Sequence, residues 1–540
     1  MIYSRNMENE LLIRTEDITD DKILDLYVET SQDRAYVTEL KKTTPVILVG
    51  SRGVGKSFLM KVAYKELFDA FPHDRVMPVY ITFTKSSLVS VGGNNEFHGW
   101  MMSRICVSII RQMKKLGLLV PSRSLDVLSG GQYQEQKKLA IEEIKDAYEE
   151  SWRKKSNIDI TAIPTVDDLK DAVEDFCIEN NVNRIVLFID EAAHVFIRAQ
   201  QVQFFTMFRD LRCPYISCNA AVYPGVTAFG NVFQIAQDAS FLNMNRDVSS
   251  PDYVEKMREI VEKQQPSSKL LNDISRQKEF FSDLAYAASG NPRLLLKTLS
   301  KLTAFKANDI NTVIKEFYKV DILGDHSLME EKYPSLRDLI KWGRDFLDNN
   351  LLPELHKRNS VGMVAGQTTC YFWVSNRCPK AVEHALDLFE YTGLIIKDKS
   401  AIKSSKSEVG TRYMVNIGCL LSLEANPIST AHEIIPNFKV KKFVEFGANS
   451  PAFEGIKDSL SVISDNEVSD SLQNQLNKTI GVLDISPWMK EKLHEINVNT
   501  VRKVMEVPES KLMEAYYVGI VRSRNIKTAA MNSVYEYLIS

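Results

Sequence analysis

The chain has 540 residues, 44% of them hydrophobic and 25% charged, with a formal net charge of −3. That composition fits an ordinary folded protein of several domains and excludes a disordered or fibrous chain. The small net charge excludes a global attraction to nucleic acid, so any such binding must come from local patches.

Residues 1–44 are polar, with one amphipathic run, Ile23-Leu24-Leu26-Tyr27. The opening MIYSRNMENELL lacks the basic-then-apolar pattern of a signal peptide, and no apolar run approaches the length of a membrane span. The seven cysteines are scattered and none forms a CxxC pair, which predicts reduced thiols in a cytosolic protein. From residue 46 short apolar runs alternate with helical patterns. VILVG (46–50), PVYITF (78–83), RIVLFID (184–190), PYISCN (214–219) and FQIAQDASFL (233–242) read as strands buried on both faces. Ser57–Phe68, His98–Leu118, Val166–Glu179 and Gln200–Leu211 read as helices between them. That order predicts an α/β fold around a parallel sheet. The long stretch 119–182 is expected to add helices, with Lys137–Lys155 a charged helical face.

Beyond residue 250 the strand signals stop. Residues 252–305 read as helices broken at Gly290-Asn291-Pro292, and 325–425 as helices, among them Lys380–Tyr391, followed by a β-hairpin at 394–417. Helices followed by a hairpin suggest a winged helix. Residues 450–478 read as a linker, and the final residues as short helices. The expected division is 1–250 for the N-terminal segment and α/β core, 251–322 for a helical unit, 323–445 for the winged-helix-like unit, 446–478 for the linker and 479–540 for a small all-α module.

Gly50-Ser51-Arg52-Gly53-Val54-Gly55-Lys56-Ser57 fits GxxxxGK[ST] without a mismatch, between a strand and a helix. The glycines allow a tight turn whose N–H groups face a phosphate, and the following helix points its positive end at the same anion. Lys56 is expected to reach the β- and γ-phosphates and Ser57 to ligate Mg²⁺, with Phe58 completing the nucleotide-binding stretch. RIVLFIDEAAHVF ends a buried strand in Asp190-Glu191. Carboxylates at that sheet edge suit Mg²⁺ binding by Asp190 and activation of water by Glu191. The implied ligands are ATP and Mg²⁺, and the implied reaction is hydrolysis of a phosphoanhydride.

These motifs, with Asn219 near a strand end and Gly290-Asn291-Pro292-Arg293 opening a helix, resemble the AAA+ class. The branch they resemble is the origin-recognition-complex type and its bacterial relatives, over about residues 20–310. The resemblance implies that Asn219 is a polar sensor, with Ser217 the alternative, and that Arg293 reaches the γ-phosphate from the lid. It also implies an arginine from a neighbouring subunit of a homo-oligomer, for which Arg209 and Arg212 are candidates. Residues 483–540 resemble a helix-hairpin-helix domain, with Tyr517-Val518-Gly519-Ile520-Val521-Arg522 at its turn. DNA is expected to meet the hairpin lysines Lys397, Lys399, Lys403 and Lys406 with Arg412, and the C-terminal Arg522, Arg524 and Lys527. Over 480–540 there are 8 basic and 7 acidic side chains, so that module is not broadly basic. The acids Glu383, Asp387 and Glu390 argue against groove insertion by helix Lys380–Tyr391. Tyr516 and Tyr517 are expected in the core, and His194 and His494 have no ligand-spaced partner. Two functions remain open: an ATP-driven machine engaging DNA, in a defence or mobile-element setting by family implication, or a signalling switch that oligomerises and controls a protein effector such as a nuclease. A non-catalytic DNA-binding adaptor is disfavoured by the intact Glu191.

Overall fold

The computed structural model describes residues 11–89, 96–134, 137–151, 160–192, 196–405, 407–456 and 465–539. Five parallel strands form the first sheet: β1 (Val46–Val49), β2 (Val76–Thr82), β3 (Arg184–Asp190), β4 (Ile216–Val222) and β5 (Ser240–Asn243). Their order across the sheet is β2-β3-β4-β1-β5. Along β3, Ile185, Leu187 and Ile189 enter one hydrophobic core and Val186 and Phe188 the other. Apolar residues on both sides of one strand require a layer of helices on each face. Helix α1 (Lys56–Asp74) supplies one layer. The other contains α2 (Glu96–Lys115), α3 (Val166–Glu179) and α4 (Arg198–Asp210). Thr165 and Asp168 form a reciprocal capping box that fixes the start of α3.

Two strand expectations shift. β4 runs past Asn219 to Val222, and the first half of the fifth run is a helical turn, Ile235–Asp238, before β5. The long insertion adds Arg123–Ser129 and Ala140–Glu149, so the charged stretch 137–155 holds a helix only within its middle; 152–159 lie outside the described residues. All seven cysteines are unbridged. Among the described residues no helix is long and apolar enough to cross a membrane.

The next helices include α5 (Tyr253–Lys263) and α6 (Pro292–Lys301). Asn291 caps α6, accepting from the N–H groups of Arg293 and Leu294, and Pro292 takes the first turn, where its missing N–H costs nothing. Ala307–Glu316, Phe317–Ile322 and Leu323–Lys332 follow one another in helical conformation, so the division expected at 322 falls inside an unbroken rod. A single hydrophobic core extends from Val248 through this rod to Phe453. The helices after residue 250 and the hairpin unit are therefore joined by one core.

The hairpin expected at 394–417 is present as β7 (Ile395–Lys403) and β8 (Val409–Val415), preceded by helix α7 (Lys380–Thr392). It belongs to a four-stranded sheet, β7-β8-β6-β9, with β6 (Tyr371–Ser375) and β9 (Val444–Phe446). Of the expected linker, 465–477 form helix α8 (Asp465–Asn477), not an open connection. Leu472 and Leu476 of α8 pack with Ile526, Ala530 and Val534 of α9 (Ile520–Ile539), and Leu88 of the first domain joins the same core.

Candidate functional site

The glycine-rich loop begins where β1 ends. Gly53 and Gly55 take φ of 89° and 106°, a region that side chains strain to occupy. A Cβ at Gly50 would lie 2.7 Å from Val54 Cγ2, so the loop closes on itself. A Cβ at Gly53 would lie 2.6 Å from Arg293 Cβ, so the start of α6 presses on the loop. Asn291 Nδ2 donates to Arg52 O at 2.8 Å, and Arg246 Nη1 donates to Val54 O at 2.8 Å. Asn291, at the start of α6, thus ties that helix to the loop through a backbone carbonyl, and Arg246 holds the loop from beyond β5.

Arg52, Gly53, Gly55, Lys56, Ser57 and Phe58 line a cavity of about 750 Å³, together with Asp190, Glu191 and Arg293. Gly50, Ser51 and Val54 complete the turn. Lys56 is buried, and its Nζ donates to Gly50 O at 2.5 Å and Ser51 O at 3.0 Å. Burial pulls its pKa down to about 7, against the opposing charges of Asp190 and Glu191. A polyanion in the cavity would restore the ammonium. Burial also lowers the Arg293 pKa, and the nearby Arg52 charge adds to this.

Asp190 ends β3 and accepts from Tyr80 Oη at 2.7 Å and from the Glu191 N–H at 3.1 Å. Glu191 stands at φ 52°, a strained backbone of the kind found where a side chain must be aimed. Burial, then the Asp190 charge, pushes its pKa up to about 7. The two acids therefore differ: Asp190 is held by two close donors, whereas burial and the neighbouring charge favour the protonated form of Glu191. The residues fit Mg²⁺ in the sense that Ser57 and Asp190 bring a hydroxyl and a buried carboxylate to one cavity.

Asn219 is not brought to this site. It is fully buried in mid-strand, in register with Val46 and Phe188. Its Oδ1 accepts from Val46 N at 3.2 Å and its Nδ2 donates to Leu40 O at 2.8 Å. Both ends of the amide are spent on backbone at the opposite end of β1, so the sensor expectation is corrected. Ser217 lies deeper still, in register with Val186. Level with the loop is Val222, whose C=O accepts from Gly50 N at 3.4 Å. The next residue, Tyr223, enters the cavity. Its ring centroid lies 4.2 Å from Lys56 Nζ, and its hydroxyl donates to Glu191 Oε1 at 3.4 Å.

The N-terminal segment forms a wall of the cavity, including Glu16, Tyr27 and Val28. Gln264, just past α5, holds it with both ends of its amide, accepting from Leu12 N at 2.7 Å and donating to Leu12 O at 3.1 Å. Sequence reasoning passed over both this wall and Tyr223. The run Ile23–Tyr27 was the available signal for the first, and an aromatic directly after a strand for the second.

Of the arginine candidates, Arg209 pairs with Asp210 at 2.7 Å and donates to Val232 O at 3.3 Å, while Arg212 is exposed. In the hairpin Lys397, Lys399 and Lys403 are exposed, and Lys406 lies outside the described residues. Arg412 is buried, held by Asp398 at 2.5 Å and Val440 O at 3.0 Å, so it is removed from the expected DNA surface. Lys527 donates to Met505 O and Val507 O, satisfying the carbonyl end of a short helix, and is removed likewise. Arg522 donates to Tyr517 O at 2.5 Å, and Arg524 lies 3.5 Å from Glu509. Tyr516 and Tyr517 are 69% and 68% exposed, which overturns their placement in a core. His494 Nδ1 bonds Asn499 Oδ1 at 2.7 Å, and His194 lies outside the described residues.

A family model described as ORC-CDC6-like matches residues 12–74, the span of the N-terminal wall, β1, the glycine loop and α1. Over those residues the chain is similar to ORC-CDC6-like proteins. Its first domain is an α/β unit, a parallel sheet between helical layers with the glycine-rich loop after β1. Among solved structures it is similar to a Walker-type ATPase of Pyrococcus abyssi at 12% identity and a TM-score of 0.40, over 78% of this chain and 97% of that one. It is also similar to the ORC2 protein of Aeropyrum pernix in its ADPNP–ADP complexes, at 11% and 0.35, over 77% and 99%. The ORC1 protein of the same organism in complex with DNA matches at 11% and 0.30, over 77% and 95%. No curated protein matches by sequence.

Proposed function

We propose that the chain binds and hydrolyses ATP with Mg²⁺, and that nucleotide state controls its engagement of DNA. The observation that carries this reading is the convergence, in one cavity, of a left-handed glycine turn, a buried lysine and a buried acid pair. In it, the loop amides and Lys56 hold the phosphates, Glu191 orients water and takes its proton, and Arg293 contacts the triphosphate from the lid. Mg²⁺, held by Ser57 and Asp190, would neutralise charge between phosphate oxygens. The lid of 251–322 and the unit of 323–445 share a core, so they act as one body against the domain of 1–250. The exposed Lys397, Lys399 and Lys403 are the backbone-contacting charges in this proposal, with Arg522 and Arg524 beside the C-terminal turn. The DNA named in the Aeropyrum pernix ORC1 complex is in keeping with it.

A second reading, a nucleotide-held switch that oligomerises and acts on a protein effector such as a nuclease, is favoured by the burial of α7. Val382, Leu386 and Phe389 face the lid core, while Ala381, Leu388 and Tyr391 face Phe196 and Tyr333. A helix covered on both sides is withheld from a DNA groove. The experiment that separates the readings is ATP turnover measured with and without duplex DNA. Stimulation by DNA supports the first, and turnover indifferent to DNA but raised by a copurifying protein supports the second. No turnover under any condition, with ATP bound, overturns the hydrolytic reading.

A further inference from the structure

Tyr223 does more than line the cavity. Its ring carries the Lys56 ammonium, its hydroxyl reaches Glu191, and its edge meets Tyr391 of α7 at 5.4 Å between centroids and 86° between planes. Tyr391 in turn meets Phe196 at 5.4 Å, and Phe196 meets Tyr333 at 4.6 Å. Two backbone approaches close the same seam. A Cβ at Gly225 would lie 2.6 Å from Asp387 O, and one at Gly393 would lie 3.8 Å from Ser51 Cβ. The segment after β4 thus abuts α7, and Ser51 of the loop lies near the end of that helix.

We propose that Tyr223 is a positioning residue that couples occupancy of the phosphate site to the seating of α7. The proposal rests on the triphosphate reading of the cavity. Lys56 is shared between Gly50 O, Ser51 O and the Tyr223 ring. To reach a phosphate the ammonium must leave the ring face, ending an attraction that desolvation has strengthened. The ring then keeps its contacts to Glu191 and Tyr391 and its apolar packing but loses the cation, and α7 is held less firmly. Coupling of this kind is reciprocal: whatever triphosphate does to the α7 seam, loosening the seam does to triphosphate affinity by the same factor. Because α7 and the lid share a core, the effect reaches the hairpin unit as a body movement.

The test is hydrogen exchange over residues 380–393 of the full chain, with and without a nonhydrolysable ATP analogue and Mg²⁺, alongside direct binding of that analogue. Wild type should bind the analogue and exchange faster in this segment when it is bound. Tyr223→Phe should keep that response, with kcat about tenfold lower at unchanged KM, because only the hydrogen bond to Glu191 is lost. Tyr223→Ala should bind analogue without the exchange response. Tyr391→Leu, outside the phosphate site, should bind analogue about fivefold more tightly. An undiminished exchange response in Tyr223→Ala, or unchanged affinity in Tyr391→Leu, overturns the coupling while leaving the site reading intact. Failure of wild type to bind the analogue overturns the site reading itself.

Discussion

The cavity at the glycine-rich loop and the C-terminal turn place similar side chains in opposite surroundings. In the cavity Lys56 and Asp190 are buried, and the Lys56 ammonium rests on the face of the half-buried Tyr223 ring. At the turn Trp488, Tyr516 and Tyr517 stand exposed, with Arg522 5.1 Å from the Trp488 ring. The same cation–aromatic contact therefore serves two ends. Buried, it positions a charge whose energy depends strongly on what else enters; exposed, it covers apolar surface and contributes little to stability.

That contrast can be broken most directly at the buried end. Lys56→Ala should lower ATP turnover by a factor of about 10² to 10³, read as phosphate release, because a preorganised charge in a dry site is lost. A variant retaining near-normal turnover would mean that the cavity is not the site. A second test compares aromatics by thermal unfolding. Phe346→Ala, fully buried in the core shared by lid and hairpin, should cost about 3–5 kcal/mol, and Tyr517→Ala about 0.5 kcal/mol or less. Equal losses would show that the C-terminal turn is covered in solution.

The hairpin charges sharpen the comparison further. Replacing Lys397, Lys399 and Lys403 by Gln should weaken DNA binding and flatten its salt dependence without moving the melting temperature. Arg412→Gln should do the reverse, since its guanidinium is spent on Asp398 and Val440 O. The smallest expected effect concerns pH. Burial raises the carboxyls of Asp387 and Glu390 to about 7, with like charges nearby at Asp387 and Lys397 opposing at both. Both pKa values rise on folding, so the stability they contribute is complete below the ordinary carboxylate range and is lost as pH climbs through about 7. The melting temperature should fall over that window, and the pair Asp387→Asn with Glu390→Gln should flatten the fall.

What the sequence made legible was chemistry that local spacing compels. The glycines before Lys56 and the apolar run before Asp190 allow few other arrangements, and β1, β3 and α3 followed from the same patterns. Asn219 misled because Ala220 and Ala221 are weak strand formers, so the strand seemed to stop three residues early. That error hid Tyr223, which stands one residue past the end of β4. Tyr516 and Tyr517 misled because paired aromatics usually mean burial, and no short-range pattern records which side of a turn meets solvent. Arg412 could not be told from its lysine neighbours because its partner Val440 is far along the chain. The weld between lid and hairpin unit depends on contacts across many residues and has no periodic signature.

The most direct measurement takes Glu191→Gln and wild type through the same two assays, calorimetric binding of Mg²⁺-ATP and release of phosphate. The neutral amide preserves shape and burial but cannot accept a proton from water. Retained binding with turnover reduced about a hundredfold or more is the predicted result. Turnover unchanged by the substitution, or ATP bound by neither protein, would contradict the account at its centre.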